Sequence, residues 1–254
     1  MPFEANEFFQ NSLTGFKKAI SNQFFCDVNS FNCDNNSIIK YTFKESLIFK
    51  SPFKTCSFGN GTVISIEDKY NCLIEKIASE FSNISSKDLL FGKNLFKLNN
   101  LLLSEGLYLK GNLIRYLLKS MDVKLNNPPK TGSLKWFYKD DFEKLYLQKG
   151  FLNALAYDYS DTLAVGIVKD EKIIALAGCD NNLSSNFRQI GIDVLPEFYN
   201  LGFGKYLVSL LSLKILSDGY IPYYTTWSAN LPSTKLALSC GYLPVCFENH
   251  AIKI

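Results

Sequence analysis

The chain is poor in several residue patterns that would name a chemistry outright. It has one histidine, His250, near the chain end, so a histidine-rich metal centre is excluded. Its seven cysteines, Cys26, Cys33, Cys56, Cys72, Cys179, Cys240 and Cys246, are odd in number and form no Cys-x-x-Cys pair. That argues against a disulfide framework and for reduced, mostly structural thiols in a cytoplasmic protein. The cysteine spacings do not suggest a zinc site, and no metal is expected. No glycine-rich loop ends in Gly-Lys-Ser or Gly-Lys-Thr, which disfavours a nucleoside triphosphate site of that kind. The three-glycine dinucleotide fingerprint and its acidic ribose ligand are missing as well. With 27 basic and 24 acidic residues, neither sign gathers into a long block, so nothing calls for nucleic acid or an anionic membrane. The most hydrophobic interior stretch, Leu101 to Leu109, is broken by Ser104, Glu105 and Gly106, well short of a bilayer span. The first residues carry acids and no basic n-region, so a secretory signal is not expected.

What is present is 254 residues with 47% hydrophobic content, enough core for one large unit or two compact domains. The first hundred residues are rich in Asn, Ser and Phe. Apolar spacing predicts helices over Ile66 to Phe81 and Leu89 to Leu103, and short strands over Ile38 to Phe43 and Glu45 to Phe49. Gly106 and Gly111 punctuate a helical-looking stretch, and Asn127-Pro128-Pro129 is a stronger break. The boundary is placed between Gly106 and Pro129. It separates an N-terminal region, 1–120, of mixed or mostly helical fold from a terminal domain, 121–254. The N-terminal region is expected to serve acceptor recognition or an interface, and a homodimer is compatible with it.

Periodicity is clearer in the terminal domain. Short helices are expected over Asp140 to Leu147 and Gly150 to Tyr157, then a hairpin of Thr162 to Val168 and Lys172 to Ala177. A strand over Gln189 to Leu195, a helix over Gly204 to Ser217 and a strand over Tyr220 to Trp227 follow. A helix capped by Asn230 and ended by Gly241, and a strand over Tyr242 to Glu248, complete a mixed α/β domain.

The segment Tyr199-Asn200-Leu201-Gly202-Phe203-Gly204 joins a strand to a helix. A helix start leaves backbone N–H groups unused at the positive end of its dipole, and glycines allow close backbone approach, so this segment suits a phosphate. Lys205 adds positive charge. The same two glycines also suit a plain turn into a buried helix.

From Gln189 to Gly204 the sequence QIGIDVLPEFYNLGFG resembles the GNAT family, the general-control-related N-acetyltransferases. The stretch WSANLPSTKLALSCGY, Trp227 to Tyr242, strengthens the resemblance, which covers roughly the last 120 to 130 residues. It implies a mixed, mostly antiparallel sheet, flanked by helices, that splays around acetyl-CoA as the acyl donor. It places pantetheine contacts on the backbone of Val194 and Leu195, pyrophosphate on Asn200, Leu201, Gly202, Phe203, Gly204 and Lys205 beside Tyr199, and further contacts on Asn230 and Ser233. Tyr199 stands where the family commonly has Arg or Gln. Ala237 stands where many members carry the tyrosine that protonates the departing thiolate.

Asp193 is the first candidate for the base, with Glu197 second. Tyr224 and Tyr242 are candidate replacements for the missing acid, and Tyr223 and Trp227 for shaping the acceptor cleft. Each has a structural alternative: a strand carboxylate also serves as a hydrogen-bonding anchor, and strand aromatics commonly form core. Cys179, Cys240 and Cys246 read as packing residues, and His250 as part of an exposed terminus. The expected activity is acyl transfer from acetyl-CoA to a small or peptide amine by direct attack in a ternary complex. The alternatives are a CoA-binding module without catalysis and a scaffold without ligand.

Overall fold

The computed structural model describes residues 7–42, 51–148 and 150–254. Helix α1 (Glu7–Phe24) precedes strands β1 (Ser37–Tyr41), β2 (Phe53–Ser57) and β3 (Thr62–Glu67). Helices α2 (Asn71–Phe81), α3 (Ser86–Leu89) and α4 (Gly92–Leu103) follow, then β4 (Leu107–Leu118), β5 (Ser133–Phe137) and α5 (Phe142–Tyr146). The chain ends with β6 (Asp161–Lys169), β7 (Lys172–Asp180), β8 (Phe187–Val194), α6 (Phe203–Ser217), β9 (Ile221–Trp227), α7 (Leu231–Ser239) and β10 (Tyr242–Lys253). Among the described residues no helix is long and apolar enough to cross a membrane.

Four expectations change. The helix predicted from Ile66 begins only at Asn71, because the preceding β-branched run Thr62-Val63-Ile64-Ser65-Ile66 forms β3, buried along its whole length. The stretch after Gly106 is strand β4, in which Gly111 supplies a φ of +130° and the Trp227 ring lies 3.4 Å from where its side chain would start. Residues 150–157 form turns, and β5 is an additional, largely exposed strand. The strand predicted over Glu45 to Phe49 lies outside the described residues.

Packing divides the chain into two compact units. One comprises Leu13–Arg115, Trp227–Ala229 and Pro244–Ile254. Its strands run β1-β3-β2-β10-β4, with β1 parallel to β3 and β2 antiparallel to both β3 and β10. Phe53, Ile64, Ile66 and Ala251 from the strands meet Leu73, Ile77, Phe81, Leu98 and Leu102 from α2 and α4 in one core. The end of α1 is fastened by side chains that take its last carbonyls. Lys54 Nζ donates to Gln23 O at 2.5 Å and Ser65 Oγ to Phe24 O at 2.6 Å.

The other unit comprises residues up to Ser12, Tyr116–Thr226 and Asn230–Leu243. Its strands run β9-β8-β7-β6-β5, antiparallel from β5 to β8, with β8 and β9 parallel. The β6/β7 hairpin turns at Asp170 and Glu171, both at positive φ, the combination that matches the twist of the flanking strands. Helix α6 packs on β6, β7 and β8. A second core gathers Phe137, Phe142, Leu145, Phe151 and Leu155 with Ala164, Ile173 and Leu176. The chain therefore changes unit five times, among them at Arg115/Tyr116 inside β4 and at Leu243/Pro244 inside β10, after which the last eleven residues group with the first unit.

Candidate functional site

The site begins where two parallel strands part. β8 and β9 are in register over four pairs, from Phe187 opposite Ile221 to Ile190 opposite Tyr224. Both continue beyond that point, β8 to Val194 and β9 to Trp227. β8 stays paired with β7 throughout, and Leu195 N–H extends the ladder by donating to Ile174 O at 2.9 Å. In an antiparallel ladder alternate residues turn their amide and carbonyl to the same neighbour. Gly191, Asp193 and Leu195 therefore face β7, and Ile192 and Val194 present their backbone groups to the opening. Leu195, expected to contact a ligand through its backbone, has its N–H on Ile174 and its carbonyl on Phe198 N–H, also 2.9 Å.

At the end of β8 the chain turns into α6. Asn200 and Gly202 hold positive φ, +61° and +85°, and Tyr199 and Leu201 are exposed. Tyr206 N–H makes the first helical bond, to Gly202 O at 3.0 Å, so the amides of Phe203, Gly204 and Lys205 lie ahead of the helical ladder. The Phe203 side chain is buried, against Phe198, which leaves its amide as the group available to a ligand. The two glycines differ in role. Around Gly202 nothing lies within 4 Å of a built side chain, so it is there for its left-handed conformation. At Gly204 a side chain would meet Leu236 at 3.4 Å, so this glycine lets α6 and α7 pack closely.

Asn230 caps α7, accepting from Ser233 N–H at 3.2 Å. Ser233 Oγ shares a 2.9 Å hydrogen bond with Tyr224 OH, and Tyr116 OH lies 3.3 Å from Thr234 Oγ1. Tyr224 belongs to the last registered pair of the fork and is 2% exposed, and burial pushes its phenol up to about 12. Tyr242 is fully enclosed, bonded to Ser212 of α6 at 2.6 Å, and burial raises its phenol further. Ala237, also fully buried, packs in α7. Glu197 is exposed in the turn after β8, and Tyr223 is a core residue edge-on to Phe187.

Asp193 shows the structural alternative, a hydrogen-bonding anchor. Its carboxylate accepts Asn153 N–H at 2.7 Å, Ala154 N–H at 2.9 Å and Asn153 Nδ2 at 2.6 Å. A carboxylate holding three donors is an anchor, and here it fixes the 150–157 loop over the sheet. The floor of that loop is a cross-strand glycine pair, Gly178 opposite Gly191. Side chains there would start 2.2 Å from Ala154 O and 1.8 Å from Asn153 O. Asp161 secures the other end of the loop through Ala156 N–H, Tyr157 N–H and Tyr146 OH. Burial is the leading influence on Asp161 and raises its pKa despite those bonds. Sequence reading missed Asn153, Asp161 and both glycines; the isolated glycines inside β7 and β8 were the available signal.

The remaining singled-out residues are structural: Cys179 lies opposite Ile190 of β8, and Cys240 Sγ donates to Lys205 O at 3.8 Å. His250 lies within β10, half-buried, its ring 5.9 Å from that of Trp227, so it is not an exposed terminus. Burial first, then Lys110, lowers its pKa. Cys179, Cys240 and Cys246 are buried free thiols. Burial pushes Cys179 up to about 12 and also raises Cys240.

No protein-family model matches the sequence, and no curated protein matches it. Among solved structures, a GCN5-related N-acetyltransferase-like protein from Streptococcus suis is 16% identical with a TM-score of 0.46, over 64% of this chain and 69% of that one. A GNAT-family acetyltransferase from Colwellia psychrerythraea is 15% identical with a TM-score of 0.43, over 63% of each chain. A Drosophila protein is 14% identical with a TM-score of 0.49, over 98% of this chain and 91% of that one. This chain thus spans under two thirds of the Colwellia protein. The strand topology, not these overlays, assigns the fold. The antiparallel run from β5 to β8, the parallel β8/β9 pair that parts beyond Ile190 and Tyr224, and the glycine-entered helix between those strands give this unit a GNAT-like architecture.

Proposed function

We propose that the protein is an acyl-CoA-dependent N-acyltransferase, with acetyl-CoA as donor and a small or peptide amine as acceptor. One observation carries the reading: a strand fork with an unpaired backbone edge at Ile192 and Val194 leads directly to a helix start with unused amides at Phe203, Gly204 and Lys205. An extended pantetheine arm pairs with such an edge as an added strand does. A pyrophosphate is held by helix-start amides without a dedicated basic cage. Tyr199, Asn200, Leu201 and Gly202 form the loop around it, and Asn230 and Ser233 stand at the start of α7.

In this reading the amine attacks the thioester carbonyl directly, and the fork supplies alignment. Asp193 holds the loop beside the fork, and the amine loses its proton to water or to exposed Glu197. The Tyr224–Ser233 hydroxyl pair is the proton source for the departing thiolate. With its phenol near 12, Tyr224 stays protonated through the neutral range. Tyr224→Phe is expected to lower kcat about 10- to 100-fold at unchanged CoA affinity; an unchanged kcat would remove Tyr224 from the mechanism.

A second reading, a CoA-binding module without catalysis, is favoured by Ala237 at the usual acid position and by the enclosure of Tyr242. Calorimetry with CoA, followed by time-dependent transfer from acetyl-CoA to an amine panel, separates the readings. Saturable binding with transfer supports the enzyme, and binding without transfer supports the module. If no CoA binds, both fail.

A further inference from the structure

In the unit that contains β2 and β10, the chain brings together three donors, one of them far from the others in sequence. Cys56 of β2 lies opposite Glu248 of β10, and Cys246 is two residues along β10 on the same face. The Cys56 and Cys246 sulfurs and a Glu248 carboxylate oxygen all lie within 4.8 Å of one another. All three residues are buried, at 0%, 5% and 4% exposure. Glu248 is held from behind by Arg115, Nε to Oε1 at 2.8 Å and Nη2 to Oε2 at 2.9 Å.

We propose that Cys56, Cys246 and Glu248 form a binding site for a zinc ion. The donor set, two thiolates and a carboxylate, suits a borderline-soft divalent cation and not a hard one. The site needs little movement. Zinc–sulfur bonds of about 2.3 Å and zinc–oxygen bonds of about 2.0–2.2 Å place ligands roughly 3.5–4 Å apart, so the three atoms close by about 1 Å.

Charge favours the exchange. Without metal the cluster holds two neutral thiols and the Arg115–Glu248 pair. Zinc replaces two thiol protons with one divalent ion, so the buried charge is unchanged. Each thiol loses its proton to solvent as its zinc–sulfur bond forms, and no electron is transferred. Arg115 supplies the outer-shell support that metal-ligating carboxylates require. A small recess lined by Gln23, Lys54, Arg115 and His250 adjoins the carboxylate of Glu248. Three protein donors leave a fourth position for water or a small ligand.

The test uses the reduced, chelator-treated 254-residue chain titrated with Co2+ and then Zn2+. Expected are about one cobalt per chain with a thiolate-to-metal charge-transfer band and tetrahedral visible bands, lost when zinc is added. X-ray absorption of the zinc form should show two sulfur ligands at about 2.3 Å. Cys33 and Cys72 are exposed, so the Cys33→Ser/Cys72→Ser variant must retain the signal. Cys56→Ser/Cys246→Ser must lose it while keeping its circular dichroism, and Arg115→Lys should weaken binding about 10- to 100-fold. No charge-transfer band from folded, reduced wild type, a metal shell without two sulfurs, or equal binding by the Cys56→Ser/Cys246→Ser variant would each overturn the proposal. The wild-type spectroscopy decides the question even if a variant fails to fold.

Discussion

At the scale of single residues, the clearest constraint is the glycine pair under the 150–157 loop. A methyl group at Gly191 would sit 1.8 Å from Asn153 O, a backbone atom with no flexible end to swing away. Gly191→Ala therefore has to lift the loop or bend β8, at a cost of about 2 kcal/mol or more. Gly202→Ala meets no neighbour and carries only the left-handed strain of its φ, about 1 kcal/mol. Denaturant unfolding of the two variants should rank them in that order. Asp193→Asn tests the loop from its other attachment. An amide keeps one acceptor oxygen where the carboxylate used two, so one bond is lost and an NH2 faces a donor, costing about 1–3 kcal/mol. The variant should also become easier to cleave by protease between residues 150 and 157. If transfer is measurable, its pH profile should keep its shape; a lost limb would return Asp193 to the role of base.

At the scale of elements, Lys54 shows how one side chain links a strand to a helix and a pH dependence to both. The residue is 4% exposed; its ammonium donates to Gln23 O at the end of α1 and lies 5.0–5.3 Å from the ring centroids of Phe24, Phe25 and Tyr41. Burial lowers its pKa from 10.5 to about 8, and the nearby Glu248 only partly opposes this. Between those values the unfolded chain holds more protons than the folded one, so this lysine's contribution to stability rises with pH. Its penalty is fully present below about pH 8 and is relieved by about pH 10.5. The unfolding free energy of wild type relative to Lys54→Met should therefore shift in favour of wild type between pH 7 and pH 10, by up to about 3 kcal/mol. A constant difference would mean that the ammonium is better solvated than its burial implies.

The same scale explains what the sequence disclosed. The hairpin, β8, α6, β9 and α7 were legible because glycines, a cap at Asn230 and local apolar spacing mark them. β2 and β3 were not, because they are buried along their whole length and lack the alternation that separates strand from helix. Residues 150–157 had helical spacing, but the amides of Asn153 and Ala154 go to Asp193, about forty residues away, and those of Ala156 and Tyr157 to Asp161. The fork was foreseen through the Gln189–Gly204 resemblance. The partners that engage Asp193 and Tyr242 were not, since Asn153, Ala154 and Ser212 are all distant in sequence.

For the molecule as a whole, the strongest consequence concerns where the chain divides. A cut at 120/121, the boundary that composition favours, would remove Tyr116–Leu118, the stretch of β4 that groups with the fork-containing unit. Among the lost contacts are Tyr116 OH to Thr234 Oγ1 and Lys119 N–H to Gly241 O at 2.9 Å. Tyr116, Leu117 and Leu118 are each no more than 1% exposed in the intact chain, so their removal opens apolar surface as well as breaking bonds. The same cut would leave Pro244–Ile254 without β2, whose residues Phe53–Ser57 pair with Phe247–Ala251. Glu248 would lose Arg115 and the strand opposite it at once, so the buried ion pair that ties β10 to β4 would be gone. Fragment 121–254 is therefore expected to lack a cooperative thermal transition and dispersed amide resonances, whereas the full chain has both. A fragment that melts cooperatively and binds CoA as the full chain does would show that β4 and the β2–β10 pairing are dispensable for the fork.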